Sequence, residues 1–481
     1  MSSVKKNFIY NTLYQLLVII IPLITTPYLS RILGAEKTGV YSYSYTIATY
    51  FVLFIMLGLN NYGNRTISII RDDKTKVSQE FWSIYFMQLV FGLFGVIAYV
   101  LYTIIFSNTL ITWILLLYVV SALIDINWFF FGMEQFKITV TRNTVIKIIS
   151  TVMIFTFVKK TNDVYIYTLI SAAGTFISQV VLWVYLKKFV YYVKVGFNDI
   201  KKHIIPNLIL FVPVIAISLY KYMDKIMLGK LSTMKEVGYY EYSEKVIQVP
   251  MALINSLGTV MLPKMSYLIS HKDSKNIKKY IYNSSVFVFF ISSISCFGLM
   301  GIADTFVPIF LGKNYSTCIQ LFRILLPSCI FLGFANVIRT QYLIPNKMDK
   351  IYICSVFMGA IVNFLINFIL IKDIGSQGAA IGTLVAEAVV CIYQVYMVKD
   401  DLDISNIIKA GTTFLISGII MYIFLIYVRL NLIPIFNLIV EIIIGGLVYI
   451  AVSVLQYFLF RKSLTGTNIL KLVKLLFEKK K

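Results

Sequence analysis

Fourteen long stretches with few or no charged side chains follow one another along the chain, separated by short segments rich in lysine. They are Phe8 to Leu29, Thr38 to Asn64, Phe81 to Phe106, Leu110 to Met133, Asn143 to Val158, Val164 to Leu186 and Ile204 to Leu228. A second set follows: Gly238 to Pro263, Tyr280 to Ala303, Thr317 to Ile338, Ile351 to Ile371, Ile374 to Val398, Ala410 to Val428 and Pro434 to Phe460. A helical bilayer crossing takes about 20 apolar residues, whereas a barrel strand shows alternation over ~10. These runs are continuous, so the chain reads as an all-α polytopic membrane protein with about fourteen transmembrane helices. Only 14% of its residues are charged and 59% are hydrophobic; soluble domains carry about 25% charge. The connections are too short for a soluble domain of about 50 residues or more, which excludes an extramembrane catalytic domain.

Lysine and arginine number 44 against 22 acidic residues, a net charge of +22. In a soluble chain that excess suggests nucleic acid; here short cytoplasmic loops account for it. Assigning alternate connections to opposite sides puts 31 basic residues with the two termini and 11 on the other face; Lys245 and Arg323, within spans, complete the 44. Both termini are therefore expected in the cytoplasm. The four tryptophans, Trp82, Trp113, Trp128 and Trp183, fall near expected span ends, where amphipathic rings prefer to lie. The first run resembles a signal peptide behind Lys5 and Lys6, but its length, Pro22 and Pro27, and the lack of an A-x-A site make it a permanent span. Cys296, Cys318, Cys329, Cys354 and Cys391 lack CxxC spacing and read as packing residues. His203 and His271, the only histidines, fall in basic loops, so no intramembrane histidine metal centre is expected.

An internal repeat organises the chain. YLSRILG (Tyr28 to Gly34) closes the first run, and YMDKIMLG (Tyr222 to Gly229) closes the seventh. GVYSYS (Gly39 to Ser44) then matches VGYYEYS (Val237 to Ser243), and each leading run carries two prolines, Pro22 and Pro27 or Pro206 and Pro213. Two six-helix lobes, residues 1–200 and 201–400, follow as parallel repeats, a transporter arrangement with its site between the halves. Residues 401–464 add two helices, and 465–481 form a basic amphipathic tail on the cytoplasmic leaflet, with Ile469, Leu470, Val473, Leu476 and Phe477 on one face.

Ionisable groups at membrane depth are rare and point to a wet cavity. Glu241 and Lys245, four apart on a helix, neutralise each other without any substrate. Asp125, Glu387 and Glu441 stand isolated in their runs, and each is protonated, paired across helices or an ion-coupling site. Arg31 and Lys225 occupy the same place in the two repeats, with Arg323 in the outer third of the tenth run. Either they snorkel to the interface, or they make an electropositive chamber for a phosphate or pyrophosphate.

The segments PYLSRILGAEKTGVYSY (Pro27 to Tyr43), DKIMLG (Asp224 to Gly229), VGYYEYSEKV (Val237 to Val246), LPKMS (Leu262 to Ser266) and GSQGAAIGTLVAE (Gly375 to Glu387) resemble the bacterial polysaccharide-biosynthesis flippases. These belong to the multidrug/oligosaccharidyl-lipid/polysaccharide exporter superfamily. The resemblance implies a V-shaped pair of six-helix lobes with two extra C-terminal helices. It also implies movement of undecaprenyl-pyrophosphate-linked oligosaccharide from the inner to the outer leaflet of the bacterial cytoplasmic membrane by alternating access. Cationic central cavities in relatives match Arg31, Lys225 and Arg323 in kind, and Arg65 joins them as a substrate-binding candidate. The chain has no GxxxxGK[ST] nucleotide-binding sequence. No cofactor is expected beyond a coupling cation, a proton or a sodium ion, with Asp125, Asp224 and Glu387 as its candidates. Membrane lipids, and the glycosyltransferases and polymerase of the same pathway, are the expected partners; nucleic acid is not. A drug or metabolite antiporter of the same superfamily would line its cavity with carboxylates instead. A membrane-embedded glycosyltransferase or polymerase would need a large outward loop and clustered catalytic groups, and neither is present.

Overall fold

The computed structural model describes residues 2–428 and 433–459, and every regular element among them is a helix. Helices satisfy their own backbone groups where no water can. The basic tail expected over 465–481 lies outside the described residues.

The chain packs as two units, Met1–Gly238 and Tyr239–Lys481. The first holds α1 (Ser2–Met56), α2 (Leu59–Ile70), α3 (Lys74–Phe106), α4 (Leu110–Ser121), α5 (Asn127–Gly132), α6 (Phe136–Phe157), α7 (Val164–Leu186), α8 (Phe197–Lys201) and α9 (Ile204–Leu231). Helix α10 (Met234–Ser270) begins in the first unit and continues in the second. The second unit adds α11 (Ser274–Gly301), α12 (Ala303–Phe310), α13 (Ser316–Leu325), α14 (Ser328–Ile338), α15 (Asp349–Ile374), α16 (Ser376–Val398), α17 (Ile404–Tyr427) and α18 (Pro434–Leu459).

Twelve of the described helices are long and apolar enough to cross a membrane, or thirteen if the pair Lys313–Leu325 and Ser328–Leu343, bent by 43°, is one span. The difference from fourteen arises at the start of the chain. The end of the first run, residues 20–29, and the whole run Thr38 to Asn64 fall within one 51-residue stretch, Ile20–Ile70. At 1.5 Å per residue such a stretch is more than twice the ~30 Å hydrocarbon thickness. Its break comes at Gly34, whose φ of 74° is open to a residue without Cβ. Pro22 and Pro27 do not interrupt it, because a proline removes one helical hydrogen bond and the backbone continues on both sides.

Glycines set the helix contacts, as expected where small residues let membrane helices approach. In the first unit Gly63 lies under the Trp128 ring, Gly92 faces Leu123 and Gly132 faces Ile67. Trp128 is thus a core residue, 0% exposed, rather than an interfacial one; its Nε1 donates to Gln88 Oε1 at 3.1 Å. Phe81 and Phe129 pack against its ring. In the second unit Gly378 meets the backbone of Leu370, Gly411 meets Phe289 and Gly418 meets Phe297. The last two helices, α17 and α18, therefore seat on α11, where the Tyr449 hydroxyl donates to the Phe290 carbonyl at 3.0 Å.

Candidate functional site

The two copies of the repeat meet within the first unit. A Cβ on Gly39 would collide with the Met234 carbonyl, and one on Gly238 with that of Ala35. Gly229 lies under the Tyr43 ring, and the Tyr50 hydroxyl donates to the Ser218 carbonyl at 3.0 Å. This seam holds α9 along the second half of α1. The end of the first half is fixed separately: Tyr28 OH donates to the Val158 carbonyl at 2.6 Å, and Thr161 Oγ1 to that of Ile32 at 3.2 Å.

On this frame stand the repeat-related cations. Arg31 is exposed and donates from Nη1 to the Pro27 carbonyl at 2.6 Å. Lys225 is 9% exposed and its neighbour Asp224 4%, both on α9. Burying a charge in this way requires polar compensation nearby.

Asp125 does not stand alone. Its Oδ1 accepts from the Asn127 backbone at 2.9 Å and from Asn127 Nδ2 at 2.7 Å. Arg142 Nη2 donates to Asn127 Oδ1 at 2.9 Å, Arg142 Nη1 to the Ser178 carbonyl at 2.9 Å, and Asn127 Nδ2 to Gln179 Oε1 at 3.1 Å. One asparagine thus bridges acid and base, tying the turn after α4 to α6 and α7. Asp125 is thus linked to Arg142 of α6 through the neutral Asn127. Glu441 is likewise bonded, accepting on Oε1 from Thr305 Oγ1 and Asn437 Nδ2, each at 3.1 Å.

Arg65 lies elsewhere, lining a cavity of about 680 Å³ in the first unit with residues of α2, α3 and α9, among them Lys76, Glu80, Lys202 and His203. Glu80 Oε1 is 2.6 Å from Lys202 Nζ, and Oε2 is 3.1 Å from His203 Nε2. His203 is not in an open loop: it is 2% exposed, with Nδ1 2.6 Å from the Tyr62 hydroxyl. Sequence reasoning passed over Tyr62, Glu80, Asn127 and Gln179. In the second unit Arg323 Nη2 donates to Asp304 Oδ2 at 2.7 Å, Glu241 and Lys245 pair at 3.0 Å, and Glu387 is buried on α16. Among the described residues no group of three or more His, Cys, Asp or Glu could hold a metal ion.

Two family profiles match the chain: "Polysaccharide biosynthesis protein" over residues 4–269 and "Lipid II flippase MurJ" over 145–445, each more than half its length. The chain is 22% identical over 414 residues to the "Putative O-antigen transporter" of Escherichia coli, covering 83% of this chain and 97% of that one. A protein of the same name from Shigella dysenteriae is 25% identical over 403 residues, 82% and 100% of the two chains. The solved structure "Lipid II flippase MurJ, inward closed conformation" superposes with a TM-score of 0.65 at 16% identity, over 95% of this chain and 99% of that one. The chain belongs to the polysaccharide biosynthesis protein family and is a many-spanning membrane transporter, not an enzyme.

Proposed function

We propose that this protein is a flippase for undecaprenyl-pyrophosphate-linked oligosaccharide, carrying each repeat unit from the inner to the outer leaflet of the bacterial cytoplasmic membrane. A diphosphate-sugar headgroup cannot enter hydrocarbon without losing its hydration. Cations in a wet chamber replace those contacts, while the polyprenyl tail stays in lipid. The observation that carries the reading is the pair Arg31 and Lys225, one from each copy of the motif, on α1 and α9, which meet where Gly229 lies under the Tyr43 ring. Relatives named as O-antigen transporters support the cargo class. Alternating access needs only that the site face each leaflet in turn. Both termini are cytoplasmic by the distribution of basic residues. A proton or sodium gradient drives transport through Asp224 and Glu387, Asp125 being held by its tie to Arg142 through Asn127.

The test is complementation of a flippase-deficient strain. The variant carrying both Arg31→Ala and Lys225→Ala is expected to reach the membrane and to restore no polymer. Full restoration by that variant ends the anion-chamber mechanism. An antiporter of drug cations would instead be disabled by removing acidic residues and indifferent to this pair.

A further inference from the structure

The cavity around Arg65 has the make-up of a binding site separate from the repeat-related cations, since neither Arg31 nor Lys225 lines it. Its size, about 680 Å³, falls within the ~300–1,000 Å³ of small-ligand sites. Three helices contribute one basic side chain each at its polar wall: Arg65 from α2, Lys76 from α3 and Lys202 at the entry to α9. A single acidic residue, Glu80, lines it with them. That carboxylate is already engaged by Lys202 and His203. Lys76 leans outward toward Asp73, 3.3 Å away. The cavity is therefore net positive, with Arg65 presenting a fork suited to two phosphate oxygens.

The rest of the lining is largely apolar, with Ile69, Ile70, Pro206, Ile209 and Leu210. Ile69 and Ile209 are 75% and 64% exposed. A free anion has no use for exposed isoleucines, whereas a lipid uses both kinds of lining, phosphate on the cations and hydrocarbon on the isoleucines. Basic pockets between membrane helices on the cytoplasmic side are where acidic headgroups dock.

We propose that this cavity binds the phosphate of an anionic phospholipid from the surrounding leaflet. The linked group of Tyr62, Glu80 and buried His203 lines it and holds Lys202 in place, so the site is formed before the lipid arrives.

The full-length protein in nanodiscs tests this directly, with retained phosphatidylglycerol measured by native mass spectrometry against phosphatidylcholine and inorganic phosphate as competitors. Arg65→Gln combined with Lys76→Gln is expected to weaken phosphatidylglycerol binding roughly thirtyfold, each basic residue contributing about 1 kcal/mol near an anionic surface. Arg71→Gln removes a nearby exposed charge that pairs with Glu134 outside the cavity, and is expected to leave binding intact. Equal loss in Arg71→Gln would reduce the effect to surface charge and overturn the site. So would unchanged binding by the double variant, or equal retention of phosphatidylcholine. Displacement by millimolar inorganic phosphate would overturn the lipid as the source of the anion.

Discussion

The two copies of the leading-helix motif share a contact and differ in nearly everything around it. In the first, Gly34 takes a left-handed φ and four residues separate it from Gly39, so α1 bends and runs on. In the second, eight residues separate Gly229 from Gly238; α9 ends at Leu231 and α10 begins at Met234. Four extra residues convert a bend into a connection. What survives in both is a glycine whose missing side chain admits the other copy's backbone. The cations differ as well: Arg31 is exposed and bonded to its own helix, while Lys225 is buried beside Asp224. The two motif copies thus share a geometry of approach, while the environments of their two charges differ.

That contrast can be broken most forcefully at the seam. Gly39→Val or Gly238→Val sets a side chain against a backbone carbonyl, which cannot move aside as a side chain can. Either is expected to abolish accumulation of folded protein, read as loss of the monodisperse peak on size-exclusion chromatography in mild detergent. Recovery of wild-type yield by both variants would mean that the seam is not needed for assembly.

The single cation variants come next. Lys225→Ala is expected to lower complementation and to cost about 3 kcal/mol or more of stability, where a buried charge loses its compensation, read as a lowered melting midpoint. Arg31→Ala is expected to lower complementation with the midpoint nearly unchanged, because its side chain is exposed. Equal midpoints for the two would show that burial does not separate their roles.

The smallest effects fall at the helix caps, where the units again carry matching parts. The carboxylate of Asp73 accepts from the backbone of Thr75 and Lys76, and that of Asp273 from Asn276. Backbone and side-chain donors hold both carboxyl groups below the ordinary aspartate range, the Lys76 backbone leading at Asp73 and the Asn276 side chain at Asp273. A lowered folded pKa means that the cap is fully stabilising at neutral pH and fades as pH falls below about 4. Asp73→Asn and Asp273→Asn are each expected to depress the midpoint slightly at pH 7 and to converge with wild type near pH 3. A gap that widened on acidification would reverse the sign and refute the capping account.

Much of this was legible in the sequence because hydrocarbon imposes length and apolarity on each crossing, and a duplicated motif repeats its glycines. The Glu241–Lys245 pair was readable from helical spacing alone. The lining of the cavity was not: Tyr62, Glu80 and His203 come from three distant segments, and His203 follows two lysines that suggest an exposed loop. Asp125 looked isolated because its tie to Arg142 runs through the neutral Asn127, which a search for charges passes over. Trp128 looked interfacial because distance along a run does not reveal that Gly63 leaves a slot for its ring. Asp73 and Asp273, each ahead of a long helix and 200 positions apart, are a signal of the repeat that was present in the sequence and not used.

The seam between Gly39 and Gly238 also decides how this protein tolerates change. Main-chain atoms cannot be traded for smaller ones, so a collision at either glycine has no second-site cure elsewhere in the contact. Drift and laboratory selection alike are left with one residue type at each of these two positions. Gly446, with nothing within 4 Å of where a Cβ would point, stands at the other extreme and is free to vary.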